Sequence, residues 1–159
     1  MTDKNEFTHF LSDISKFLYT NGKDGISEAI KMVHSAFALD RIQLYTLQGD
    51  VYKCMYKYGD YLDNTIETID FVDDKFVELF KNDALVLNFV YNLEFTHPAA
   101  YKMLSDEGVF SAVLCLVKNK EGKIVGICSY EHLSYKKMFS QNELTIYTYL
   151  ANMLGVIMG

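Results

Sequence analysis

The side chains able to act as nucleophiles or metal ligands are three cysteines and four histidines spread over 159 residues. A zinc site needs cysteine and histidine ligands at short, defined spacings, and no histidine here falls at such a spacing from a cysteine. The glycine-rich phosphate-binding patterns GxxxxGK[ST] and GxGxxG do not occur either. The seven residues are Cys54, Cys115, Cys128, His9, His34, His97 and His132. The pattern predicts a chain without a catalytic site, a bound metal or a cofactor.

Two arrangements nevertheless deserve a chemical test. Glu131 and His132 could form an acid–base pair, but adjacent residues on a strand point to opposite faces, so we interpret them as strand-end polarity. Cys115 and Cys128 lie in the middle of apolar, strand-like segments, where a thiolate is disfavoured. We therefore expect buried structural thiols rather than a redox centre.

Charge and composition exclude several classes of partner. The formal net charge is −6, whereas nucleic-acid binders display a basic surface, and an anionic membrane is disfavoured for the same reason. Lys136 and Lys137 form the only tight basic pair in the second half, interpreted as a solvated turn.

The start of the chain, with Asp3, Lys4 and Glu6, lacks the apolar stretch of a secretory signal. An odd number of cysteines fits a reduced, cytoplasmic setting.

Helical patterns stand at the two ends of the chain. Gly22 is a plausible left-handed stop for a first helix, and Asp24 is expected to cap a second. Ser140 and Glu143 form a capping box for a closing helix. The apolar stripes at steps of three and four are Phe7, Phe10, Leu11, Ile14, Phe17 and Leu18 in the first helix, and Ile26, Ile30, Val33 and Phe37 in the second.

The closing helix carries two apolar stripes, and one sheet can cover only one of them. The second therefore needs another partner, and we expect a second copy of the chain, although the first helix could cover it within the monomer. The stripes are Leu144, Tyr147, Ala151, Leu154 and Met158, and Ile146, Leu150, Met153 and Ile157.

Two hairpins and an irregular middle segment occupy the rest of the chain. "RIQLYTL" and "VYKCMYKYG" flank a short glycine-containing turn, and "VFSAVLCLV" and "KIVGICSY" flank "KNKEG". Between them, residues 62–72 are ambiguous, Asp73 or Asp74 starts a short helix, and "ALVLNFVY" reads as a strand. Thr96 is the expected N-cap of a helix with Pro98 in its first turn, ended by Gly108.

This order of elements resembles a GAF domain over nearly the whole chain. The most specific matches are Asp40-Arg41 at the first strand and "GKIVGICSY" followed by "KKMFSQNEL", with Gly126 in the glycine strand. The resemblance implies an α+β, GAF/PAS-like fold. Its central antiparallel sheet would have five to six strands, with the N- and C-terminal helices on one face and short helices and loops over the other. We expect close helix packing, rather than ligand contact, to be the reason for Gly126.

The Asp-Arg start is similar to GAF modules that precede GGDEF, cyclic-di-GMP-making domains in bacterial signalling proteins. It implies one sensory domain over residues 1–159, excised from a longer protein, that binds a small molecule or dimerises through its terminal helices. Catalysis would belong to the attached output domain.

The resemblance also implies a ligand site. "HPAAY" resembles the His-Pro-x-x-Tyr start of the helix that closes over the ligand in cyclic-nucleotide-binding modules. Carried over residue by residue, the ligand-binding positions are Gln43, Tyr58, Tyr101 and Ser129. Bilin-binding GAF domains attach their pigment to a cysteine followed by a histidine, and no Cys-His pair occurs here.

Two alternatives of other classes remain. The first is a structural dimerisation module whose pocket is filled by aromatic side chains. The second, less favoured, is a GAF-fold reductase of free methionine sulfoxide, which would need mobile, exposed cysteines. The aromatic residues are Phe71, Phe76, Phe80, Phe89 and Phe95.

Overall fold

A computed structural model describes residues 4–133 and 138–159 of the chain, so the predicted turn at 136–137 lies outside the described residues. Its centre is a six-stranded antiparallel sheet in the order β3-β2-β1-β6-β5-β4. The strands are β1 (Arg41–Gln48), β2 (Val51–Gly59), β3 (Thr68–Ile69), β4 (Ala84–Leu87), β5 (Ser111–Lys118) and β6 (Ile124–His132).

Both predicted hairpins are present, and local turn chemistry explains them. Gly49 adopts a left-handed conformation, with φ of +64°, between β1 and β2. Between β5 and β6, the Asn119 side chain accepts hydrogen bonds from the backbone N–H groups of Glu121 and Lys123, each at 3.0 Å. These side-chain bonds hold the turn without help from the rest of the protein.

Three long helices cover one face of the sheet. The predicted stripe of the second helix faces the sheet, the stripe of the first packs against the other two helices, and Gly22, at φ +58°, follows the first helix as expected. Asp24 is not the cap of the second helix, because a short 3₁₀ turn at Gly22–Gly25 joins the two helices and Gly25 takes the N-cap position. The helices are α1 (Lys4–Asn21), α2 (Ile26–Phe37) and α5 (Gln141–Met158).

Most of the second stripe of α5 is covered within the monomer. Ile146 and Leu150 are fully buried in the same cluster as Ile14 and Leu18 of α1, which packs beside α5. The expectation that a second copy of the chain covers this stripe is therefore wrong for its buried part, and the alternative, cover by the amphipathic first helix, is confirmed. The predicted capping box of Ser140 and Glu143 starts α5.

Two glycines allow backbones to approach closely. A Cβ on Gly155 of α5 would collide with the backbone carbonyl of Lys118, so this glycine sets how near α5 lies to β5. A Cβ on Gly126 of β6 would lie 2.5 Å from the carbonyl oxygen of Tyr45 on the neighbouring strand. Gly126 thus serves strand-to-strand approach, and not the helix packing that we expected.

Short helices, loops and the edge strands cover the other face. Asp73 caps the first short helix by accepting a 2.8 Å hydrogen bond from the N–H of Phe76. At the second, His97 rather than Thr96 occupies the N-cap position, and Pro98 begins the helix as predicted. The ambiguous 62–72 segment contains a 3₁₀ turn at Leu62–Asn64 followed by β3. The short helices are α3 (Asp74–Val77) and α4 (Pro98–Asp106).

The architecture confirms the predicted fold class. It is α+β, with an antiparallel sheet, the terminal helices on one face and short helices and loops on the other. A separate apolar core fills each side of the sheet. Strands β5 and β6 are buried along almost their whole length because both of their faces are covered.

Candidate functional site

A buried polar cluster lies on the sheet face beneath α4. Along β1, Arg41, Gln43 and Tyr45 point to this face, whereas Ile42 and Leu44 pack into the core on the helix side. The alternation follows from the two-residue repeat of a strand. Because Arg41 and Gln43 are fully buried, their polar groups need partners inside the protein.

Glu131 of β6 is the centre of the cluster. Its carboxylate accepts hydrogen bonds from Arg41 Nε at 2.6 Å and from Ser129 Oγ at 2.7 Å. Gln43 Nε2 lies 3.2 and 3.1 Å from its two oxygens, and the hydroxyl of Tyr45 donates in turn to Gln43 Oε1 at 3.1 Å. Both carboxylate oxygens are therefore engaged by neighbouring side chains.

A second carboxylate, Glu107, reaches the same arginine from the covering layer. Glu107 directly follows α4, and one of its oxygens lies 3.7 Å from Arg41 Nη2, while the other accepts a hydrogen bond from the N–H of Ile66. Burial, and then the charge of Glu131, raise the pKa of Glu107 to about 7. Arg41 Nη1 also donates to the carbonyl of Tyr61 at 3.2 Å.

The thiol nearest this cluster is held in its neutral form. Cys54 Sγ is half-buried, lies 3.7 Å from Gln43 Oε1, and burial raises its pKa to about 11. Burial also raises the pKa of Cys115 and that of Cys128, the latter to about 12. Protonated thiols are poor nucleophiles, so this arrangement is unsuited to the chemistry of a thiol reductase.

A small cavity adjoins the polar cluster. Its volume is about 20 Å³, enough for roughly one water molecule. Its polar lining includes Glu107, Ser129 and Glu131. The remaining wall is formed by Tyr45, Leu114 and Ile127 of the sheet and by Ile69, Phe71, Met103 and Leu104 of the covering layer.

The structure brings some of the predicted ligand-binding residues together. Gln43 and Ser129 lie in one network, because both donate to Glu131. Tyr101 lies on α4 and packs against the core on this side of the sheet. Whether these residues contact a ligand stays a prediction.

Tyr58, in contrast, lies on the opposite face. Its ring packs edge-on against His34 of α2, with centroids 4.9 Å apart, beneath the ammonium group of Lys31. The register shift between Tyr45 and Leu44 explains this position, because a bulge in β2 adds one residue and so reverses which face each later side chain takes.

Sequence reasoning missed the three charged members of the site. The sequence alone brings out Arg41 only as part of a family-like pattern and Glu131 only as strand-end polarity, and it does not bring out Glu107. The available signal was alternation: in "RIQLY" and "SYE", polar residues stand at every second position between residues that fill a core. Charged residues at such positions are rarely buried unless they pair with each other.

Within residues 4–133 and 138–159, no group of three or more His, Cys, Asp or Glu side chains could hold a metal ion. Over the same residues, no helix has the length and apolar character needed to cross a membrane.

Comparison with known proteins identifies the fold. No model of a protein family matches the sequence, and no curated protein matches it either. Among solved structures, the chain is similar to the phycoerythrobilin-bound GAF domain of a cyanobacterial phytochrome, with a TM-score of 0.76 and 15% identity over 96% of this chain and 94% of that one. The fold is therefore that of the GAF domains.

Bacterial phytochromes show the same similarity. The chromophore-binding domain of the Stigmatella aurantiaca bacteriophytochrome matches with a TM-score of 0.75 and 15% identity over 97% of this chain, which spans 62% of that domain's length. A bacteriophytochrome from R. palustris matches with a TM-score of 0.78 and 14% identity over 96% of this chain and 36% of that one. At this level of identity, the comparisons show the fold, and function must come from the site.

Proposed function

We propose that this chain is a sensory GAF module that binds a small molecule between the sheet and α4 and has no catalytic activity of its own. The observation that carries the proposal is a cavity lined by Glu107, Ser129 and Glu131, with Arg41 and Gln43 bonded to Glu131. A few convergent polar groups over an apolar wall can orient a small ligand. Several solved neighbours are described as binding a bilin chromophore, which supports small-molecule binding as a use of this fold.

The cavity must enlarge before a ligand can enter. Its volume of about 20 Å³ compares with roughly 300–1,000 Å³ for typical ligand pockets. The wall that can move is the covering layer, because Met103 and Leu104 belong to the short helix α4 and Ile69 to the two-residue strand β3. The central strands on the opposite wall are held by long ladders of hydrogen bonds.

Binding would be transmitted through the terminal helices to an attached output domain, for which we propose cyclic-di-GMP synthesis in the bacterial cytoplasm. Self-association through these helices would carry the signal. A shallow apolar groove between α1 and α5 supports this, because Tyr19 is 76%, Tyr149 37% and Val156 48% exposed there. Apolar side chains grouped on a surface favour contact with another chain.

Native mass spectrometry of the purified domain tests the binding proposal. A small mass that co-purifies with the wild type and is lost on denaturation supports it. Leu114→Phe, which places extra volume into the cavity, should abolish that mass, whereas Leu47→Phe, on the same sheet but 39% exposed, should retain it. Equal retention by both variants would place the ligand elsewhere, and a wild type that carries no mass after gentle isolation from several growth conditions would contradict the proposal.

The second candidate is a dimerisation module without a ligand. It is favoured by the small cavity volume and by Phe71 and Phe76, which are buried in the core on this face, whereas Phe95 is 92% exposed and fills nothing. A ligand-free dimer whose unfolding temperature is unchanged by cavity-filling substitutions would favour this second function.

A further inference from the structure

Glu107 connects three elements that enclose the cavity. It directly follows α4, its carboxylate accepts the N–H of Ile66 in the segment before β3, and it faces the guanidinium of Arg41 on β1. Only 5% of the residue is exposed. Glu107 is therefore the polar connection between the two parts of the covering layer and the sheet beneath them.

The charges around Glu107 are unbalanced. From the sheet, Arg41 and Tyr45 of β1, Cys54 of β2 and Glu131 of β6 face it, so two carboxylates share one guanidinium. The two contacts differ in length. Arg41 Nε lies 2.6 Å from Glu131 Oε1, whereas Arg41 Nη2 lies 3.7 Å from Glu107 Oε2. The thiol and the phenol are kept neutral by burial, which raises the pKa of each.

We propose that Glu107 is a proton-operated latch: its protonated form keeps α4 and residues 62–69 closed over the cavity, and its ionised form releases them so that a ligand can enter. The proposal concerns regulation of the binding site and so rests on the proposed function. A neutral carboxyl group still accepts the Ile66 N–H and avoids repulsion by Glu131. An ionised one is more stable in water, which it reaches when the layer opens.

The size of the effect follows from linkage between proton binding and opening. The pKa of Glu107 is about 7 in the closed form, against an ordinary value of 4.5 once the side chain is solvated. The closed form therefore holds the proton more tightly, and raising the pH favours opening. Between pH 5 and pH 8, the equilibrium constant for opening should rise about 70-fold.

Amide hydrogen exchange, measured residue by residue by NMR at pH 5 and pH 8, tests the latch in the ligand-free domain. After correction for the intrinsic exchange rate, protection should fall at Ile66, Ile69 and along α4 in the wild type, and at both pH values these amides should be less protected than those of the buried strands β5 and β6, which exchange through global unfolding. In Glu107→Gln, which keeps an acceptor for Ile66 and cannot ionise, the pH dependence should disappear. Asp106→Asn, a change at the exposed neighbouring carboxylate, should leave it intact.

Two results would overturn the proposal. One is equal pH dependence in the wild type and Glu107→Gln; the other is protection at Ile66, Ile69 and α4 equal to that of β5 and β6 at both pH values, which would show that the covering layer opens only by global unfolding. A carbon-13 titration of the Glu107 carboxyl in the wild type needs no variant, and a midpoint below pH 5 would also refute the latch. Because these measurements use no ligand, their failure is distinct from failure of the binding proposal, which mass spectrometry decides.

Discussion

Replacing Arg41 by methionine should destabilise the domain strongly. The change keeps an unbranched side chain but removes the cation that faces both Glu131 and Glu107. Removing one partner of a buried ion pair typically costs about 3–5 kcal/mol, because the remaining charge stays buried without compensation. At roughly 2–4 °C per kcal/mol for a domain of this size, the unfolding temperature should fall by about 6–20 °C.

The structure supports the upper part of this range. Arg41 is fully buried, and its bond to Glu131 is 2.6 Å long, so both the loss of charge pairing and the desolvation of the remaining carboxylate contribute. Arg41 also holds the carbonyl of Tyr61 through Nη1, and the substitution removes that bond. Each hydrogen bond to a charged group adds about 1.5–3 kcal/mol.

Urea denaturation of four proteins would measure the coupling energy between Arg41 and Glu131. The proteins are the wild type, Arg41→Met, Glu131→Met and the double variant. We expect a coupling energy of at least about 2 kcal/mol. Arg41→Met alone leaves the Glu131 carboxylate buried without its partner, whereas the double variant removes both charges.

An exposed ion pair in the same domain provides the matched control. Lys102 Nζ and Asp106 Oδ2 on α4 lie 3.0 Å apart, but the two side chains are 76% and 58% exposed. Lys102→Met should therefore cost less than about 1 kcal/mol. If Arg41→Met cost no more than this control, or if the coupling were near zero, the buried network described here would be refuted.

Four further predictions follow from particular contacts. Because the pKa of Glu107 is raised in the folded state, the native protein binds more protons than the unfolded chain between pH 4.5 and 7. The free energy of unfolding should therefore fall as the pH rises through that window, by up to about 3 kcal/mol. Urea denaturation should show little of this fall in Glu107→Gln. Gly155→Ala should destabilise by about 1–3 kcal/mol in thermal melts, because its Cβ meets the Lys118 backbone, and stabilisation would contradict that close approach. Ser140→Ala should cost about 0.5–2 kcal/mol in the same melts through loss of the α5 cap, with Thr145→Ala, an exposed site on the same helix, expected to cost less. The thiols, including half-buried Cys54, should stay unreactive towards a thiol reagent at pH 7 until the protein is denatured; rapid reaction in the native state would reopen the reductase alternative.

Local sequence determined the elements whose stabilising contacts lie within a few residues. The capping box at Ser140 and Glu143, the left-handed stop at Gly22 and the turn at Asn119 each use neighbours in the chain, so their effect can be read from spacing alone. The same holds for the stripes of α1 and α2, because helical periodicity places them on one face whatever they pack against. The order of these elements carried the resemblance to GAF domains, and that resemblance implied the α+β architecture.

Tertiary structure decided the site, because its members come from different parts of the chain. Arg41 and Glu131 are 90 positions apart and become neighbours only when β1 pairs with β6. Tyr58 lies on the opposite face from the one predicted because a bulge in β2 adds one residue to the strand. Side chains alternate between faces along a strand, so one added residue reverses the face of every residue after it. Similarly, α1 rather than a second copy covers much of α5, since an apolar stripe specifies that it must be covered but not by what. Sequence therefore determined where polar and apolar groups alternate, and only the three-dimensional pairing of strands and helices decided which of them meet.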